Sequence, residues 1–169
     1  TAGMGHLPSD VAPDLRSRSY AITARVQPST DGTQGVLIAH GDATCGYSLF
    51  VRDGHLVHDL NIGGTHQVVS SDSPIPVGAT ELGFRMNRNP GDGPFPHGTG
   101  TLLVDGVEVG RMETDQIFWL MISWSGLDIG LDRGTTVADY DRTGRHLGPF
   151  SFTGSLVDVI IELDDDQEV

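Results

Sequence analysis

Two Asp-Gly dipeptides constrain this chain more than any other feature. Each sits between runs whose apolar residues recur at every second position. The first corner is Asp53-Gly54, between Tyr47–Arg52 and His55–Leu60; the second is Asp105-Gly106, between Thr101–Val104 and Val107–Val109. A two-residue reversal between strands needs positive φ at both central positions, which Asp and Gly tolerate better than most residues. A period of two places successive side chains on opposite faces of an extended segment. Together these features predict two β-hairpins.

The same alternation extends along the chain. Tyr20, Ile22, Ala24 and Val26 alternate within 19–27, and Leu82, Phe84 and Met86 within 81–87. Val157, Val159, Ile161 and Leu163 are expected to form one face of a last strand over 155–163. Short apolar runs at 35–41 and at Ile117–Ile122 read as buried strands, and 67–70 adds another. Residues 1–18 read as an extended leader from an upstream domain, 89–100 as a long loop, and 164–169 as a solvated acidic tail. The glycines of 89–100 neither follow a strand nor open a helix, so the phosphate-cradle pattern is not met. About ten short strands and no amphipathic helix predict an all-β, antiparallel two-sheet sandwich of the jelly-roll kind over 19–163.

Composition narrows the partners. The chain has 169 residues, 37% of them apolar, enough for one domain with a real core. Its formal charge is −13, and all ten basic residues are Arg. Nucleic acid and anionic membranes both require a basic patch, so neither is an expected partner. The single cysteine, Cys45, allows no intrachain disulfide and no multi-cysteine metal site. It slightly favours a cytoplasmic chain and is also compatible with a secreted one. No apolar run approaches the ~18 residues of a membrane-spanning helix.

The hairpins 46–57 and 100–110 and the closing run 152–161 resemble the concanavalin A-like and laminin-G-like sandwich superfamily. A closer resemblance is to the C-terminal region of large bacterial arylsulfatases. It rests on the order of several pieces: Gly3-Met4, Ala12-Pro13, Arg18-Ser19-Tyr20, Gly35-Val36-Leu37-Ile38-Ala39, the two hairpins, Gly126–Gly130, Gly134–Val137, Asp139-Tyr140 and Pro149–Gly154. That resemblance implies a non-catalytic accessory domain packing on an upstream sulfatase catalytic domain of the same polypeptide. Sulfatases hydrolyse sulfate esters with a formylglycine made from the Cys of a Cys-x-Pro-x-Arg motif, beside a calcium ion. Cys45 is followed by Gly46-Tyr47-Ser48-Leu49 and lacks both the Pro and the Arg, so formylglycine and its calcium belong outside this chain. The alternative is a laminin-G-like module that binds carbohydrate or protein.

Four groups of residues are candidates for a site. Asp128, Asp132, Asp139 and Asp141 could converge on calcium, which takes six to eight oxygen ligands; the plainer reading is a set of turn-forming aspartates. Trp124 and Tyr140 could form a sugar-stacking surface. Trp119, inside the apolar run, is expected in the core. Glu162, Asp164, Asp166 and Glu168 alternate, and on one strand face such carboxylates could serve as the acid and nucleophile of a glycosidase; the run enters the tail, and the plainer reading is a frayed acidic terminus. His55 and His58 look like a metal pair, but three-residue spacing in a strand sends them to opposite faces.

Overall fold

A computed structural model describes residues 5–91, 93–120 and 122–167. Gly3-Met4, Met121 and Glu168, which figure in the sequence reading, lie outside the described residues.

The chain is all-β: ten strands in two antiparallel five-stranded sheets. The strands are β1 (Tyr20–Val26), β2 (Gly35–Asp42), β3 (Cys45–Arg52), β4 (His55–Ile62), β5 (Thr65–Ser70), β6 (Glu81–Asn89), β7 (His97–Val104), β8 (Val107–Thr114), β9 (Leu127–Ile129) and β10 (Leu156–Leu163). One sheet runs β10-β1-β6-β7-β8 and the other β5-β4-β3-β2-β9. Both Asp-Gly corners fold as read: Asp53 and Gly54 have φ of 54° and 78°, and Asp105 and Gly106 of 47° and 78°.

The core lies between the sheets. Tyr20, Ile22 and Ala24 of β1 and Leu82, Phe84 and Met86 of β6 meet Tyr47, Leu49 and Val51 of β3 and Leu56 and Leu60 of β4. His58 lies among them, fully buried, its ring parallel to Phe84 with centroids 3.5 Å apart. Strand β1 alternates buried and accessible positions, whereas β2, β3 and β4 are buried on both faces. The cause is a third layer. Val137, Ala138, Tyr140 and Phe150, from the segment after β9, pack on Val36, Ala39, Phe50 and Val57 across the outer face of the second sheet. This explains why Val36-Leu37-Ile38-Ala39 is continuously apolar rather than alternating.

Several expectations are corrected. Residues 117–120 and 122, the described part of the Ile117–Ile122 run, are not in a strand. They belong to the crossover from β8 in one sheet to β9 in the other, so their backbone pairs with loops: Ile117 N–H donates to Pro96 O and Ser17 N–H to Phe118 O. Ile117, Phe118 and Ile122 still plug the core. Val157 does not share the inward face of Val159 and Ile161, because a bulge opposite Arg25 and Val26 leaves it unpaired and exposed. The β6–β7 loop is short, because His97–Gly100 already belong to β7.

The leader from residue 5 lies against the sandwich. Leu15 is fully buried, Leu7 bridges Leu127, and the Ser9 hydroxyl bonds His40 Nε2 at 3.0 Å. The acidic end is also tied down. Asp164 pairs with Arg85, and Asp166 accepts from the Ser19 N–H and hydroxyl at 2.8 and 2.6 Å.

Gly41 is one of the positions where the backbone leaves no room for a side chain. Its φ is +109°, and a Cβ would lie 2.2 Å from Cys45 O. At Gly63, with φ +63°, nothing lies within 4 Å. Thermal unfolding should therefore separate the two substitutions. Gly63→Ala pays only for the left-handed backbone, about 1 kcal/mol, whereas Gly41→Ala must also displace a ladder carbonyl and should cost at least about 2 kcal/mol. Equal losses would mean that the β2–β3 approach is looser than described.

Candidate functional site

The four aspartates proposed for calcium are engaged in local hydrogen bonds, and Asp139 and Asp141 share the Thr143 amide. Asp128 is buried, with His6 Nδ1 3.2 Å from Oδ1 and the Arg133 N–H 3.1 Å from Oδ2. Asp132, also buried, accepts from the Tyr140 hydroxyl at 2.7 Å and the Val137 N–H at 2.9 Å. Desolvation outweighs those bonds and pushes its carboxyl up to about 6. Asp139 accepts from the Thr143 and Gly144 amides, and Asp141 from the Thr143 amide and hydroxyl. These are the local bonds of turn-forming aspartates. Among the described residues no three His, Cys, Asp or Glu side chains gather around one point. The four carboxylates therefore have local hydrogen-bond partners and do not gather around one point.

Tyr140 is not a surface aromatic. Its ring lies edge-on to Phe50 at 4.9 Å and stacked on Phe150 at 5.1 Å, and its hydroxyl joins Ser48 to Asp132. The carboxylates of the last strand and tail do not form a facing pair either: Glu162 is exposed, while Asp164 and Asp166 are held by Arg85 and Ser19. His55 and His58 lie on opposite faces of β4. His55 Nδ1 is 2.8 Å from Ser71 O, whereas His58 is sealed in the core. Burial pushes the Cys45 thiol up, away from a reactive thiolate.

One end of the sandwich is different. The crossover 115–126 and the β6–β7 loop carry large apolar side chains into solvent: Trp124 is 74% exposed, Leu120 60%, Phe95 42% and Trp119 39%. Trp119 and Phe95 pair with centroids 5.0 Å apart and planes tilted by 37°. Trp119 is thus half out of the core, contrary to the burial expected of it. Beside Phe95 lies a hollow of about 150 Å³ walled by Ser17, Asn89, Pro94, Pro96 and His97. The crossover is anchored at its far side, where the Ser123 and Ser125 hydroxyls donate to Asp42 and the Ser9 hydroxyl donates to Ser123 O. These bonds help set Asp42 below the usual carboxylate range, against the opposing effect of burial. Trp124 is held between the two anchored serines.

Sequence reasoning found Trp124 and missed Phe95. Phe95 sits in a Gly- and Pro-rich stretch, with no periodicity to mark it as more than loop. The opposite end holds a cavity of about 300 Å³ bordered by Val26, Val51, Ile75, Leu82 and Phe152.

No protein-family profile and no curated protein sequence matches the chain. Solved structures do match, 68 chains in all. The chain is similar to domains LG4–5 of the mouse laminin α1 chain, with a TM-score of 0.60 and 16% identity over 98% of this chain and 41% of that one. It is also similar to leech intramolecular trans-sialidase, solved with 2,7-anhydro-Neu5Ac prepared by soaking with 3'-sialyllactose. There the TM-score is 0.56, with 10% identity over 89% of this chain and 22% of that one. This chain spans less than half the length of either. At such identities the likeness establishes the fold, a laminin-G-like sandwich, and nothing finer.

Proposed function

We propose that this chain is a non-catalytic recognition module that binds carbohydrate through the sandwich end bearing Phe95, Trp119 and Trp124. The observation that carries the reading is the exposure of four large apolar side chains on two adjoining loops. Burying apolar surface is favourable, so such a patch on a stable domain marks a contact site. Flat ring faces fit the C–H faces of sugars, and ring polarity adds direction to the contact. The hollow beside Phe95 supplies the polar half of a site through Asn89 and His97. A net charge of −13 opposes anionic ligands at long range and points to neutral sugars. Calorimetric titration of the chain with neutral oligosaccharides should give saturable binding. Trp119→Ala and Trp124→Ala should each weaken it by roughly tenfold or more, the effect of losing an anchoring aromatic. Absence of binding across the panel, or binding unaltered in both variants, would contradict the reading.

A second reading makes the same end a docking face for a catalytic domain of the same polypeptide, that of an arylsulfatase-type sulfuric ester hydrolase. It is favoured by the order of the sequence pieces described above. It also accords with the leech trans-sialidase, an enzyme of which this sandwich spans only 22%. In this reading the chemistry, with formylglycine and calcium, lies wholly in the other domain, and the purified sandwich turns over no aryl sulfate. Turnover that survives replacement of Cys45 would overturn it.

A further inference from the structure

We propose that His66 and His146 together form a binding site for a divalent transition metal of the zinc, nickel and copper class, with solvent completing the coordination. Strand β5 is the edge of the second sheet, and His66 stands on its outer face. The overlying third layer brings His146 to it: the ring centroids are 5.6 Å apart and the planes 31° from parallel. No sequence pattern joins these two residues; the fold of the third layer does.

Both rings are already oriented by an oxygen behind them. His66 Nδ1 lies 2.9 Å from each carboxylate oxygen of Asp59, and His146 Nδ1 lies 3.1 Å from Thr136 O. In the neutral rings the proton therefore sits on Nδ1, and each Nε2 keeps its lone pair. This is the outer-shell arrangement that fixes metal-ligating histidines, one ring nitrogen donating to a carboxylate or carbonyl while the other binds.

The spacing also fits. A zinc ion about 2.05 Å from each Nε2 lies roughly 3.2 Å from each ring centre, so a tetrahedral angle sets the centres about 5.2 Å apart. The observed separation is a few tenths of an ångström longer, and a small rotamer adjustment closes that gap. Charge favours a cation here, because Asp59 is buried directly beneath the pair. His146 is held at φ +47°, a left-handed conformation that a non-glycine residue adopts at a cost. Imidazole nitrogens suit zinc, nickel and copper rather than calcium.

Titration with Zn²⁺ alone, in chelator-free buffer, tests the site. The native chain should take up one ion with high affinity and unfold at a higher temperature when it is bound. His66→Gln and His146→Gln should each weaken uptake at least tenfold and abolish that thermal shift. His55→Gln, on the same strand pair but bonded to Ser71 O, should leave both unchanged. His146 lies in a surface loop, so its variant keeps the test open even if replacing His66 disturbs β5. No saturable uptake by the native chain, or uptake unaltered in both variants, would overturn the proposal.

Discussion

Acidification from pH 7 to pH 4 should lower the unfolding temperature of this domain by roughly 8–16 °C. Two buried histidines are responsible. His58 is fully buried between Tyr47 and Phe84, and desolvation depresses it from 6.5 to about 3; His40, mainly for the same reason, falls to about 4. Neither His58 ring nitrogen has a hydrogen-bond partner, so a proton there would be an uncompensated charge. A histidine depressed in the folded state stabilises the fold above its unfolded pKa, and that contribution is lost as pH falls below about 6.5. By pH 4 each ring has lost about 3 kcal/mol. Asp132 acts in the opposite sense, and the buried Asp59 carboxyl, also raised by desolvation, acts with it. The raised Asp132 carboxyl penalises the fold near neutrality, and that penalty is relieved as pH falls through about 6 towards 3.8, returning about 2 kcal/mol by pH 4. The net loss of about 4 kcal/mol is a large share of an ordinary domain's stability and corresponds to roughly 8–16 °C at this chain length. Calorimetric scans across the pH range measure it. His58→Leu should flatten the profile between pH 6.5 and 4. A melting temperature that stays level or rises on acidification of the native chain would refute the assignment.

Replacing Tyr140 by alanine should cost about 3–5 kcal/mol, as deletion of a large buried aromatic does elsewhere. The ring is wedged between Phe50 and Phe150, and its hydroxyl is one of two groups shown donating to the buried carboxylate of Asp132. Tyr140→Phe keeps the packing and removes only the hydroxyl, so it should cost less, about 1–3 kcal/mol for leaving buried partners short of a bond. Urea unfolding of the two variants separates the contributions of packing and hydroxyl. A loss in Tyr140→Ala no larger than that in Tyr140→Phe would mean that the third layer adds little by packing.

The strands were legible because half-buried β-structure writes its burial as alternation, and because Asp-Gly corners are chemically specific. Nine of the ten strands overlap runs read as strands in the sequence, all but β9, and the two hairpins turn at Asp53 and Asp105. The third layer was not legible. Its residues, from Val137 to Phe150, follow no period, since a covering loop needs only a few apolar contacts at irregular spacing. For the same reason Tyr140 was expected at the surface. Trp119 was expected in the core because an unbroken apolar run implies burial on all sides; the crossover instead buries Ile117, Phe118 and Ile122 and turns Trp119 and Leu120 outward. Trp124 was identified because it stands just after the run between two serines. Phe95 with its partner Trp119, and the His66–His146 pair, depend on distant segments meeting across the fold, which local sequence does not encode.

Amide chemical-shift mapping during titration with a neutral oligosaccharide tests the central claim most directly. The recognition reading predicts saturable shifts centred on Phe95, Trp119 and Trp124 and their neighbours in the two loops, with both tryptophan indole N–H signals moving. Shifts centred instead on the cavity bordered by Val51, Ile75 and Phe152, or no shifts at any position, would contradict it.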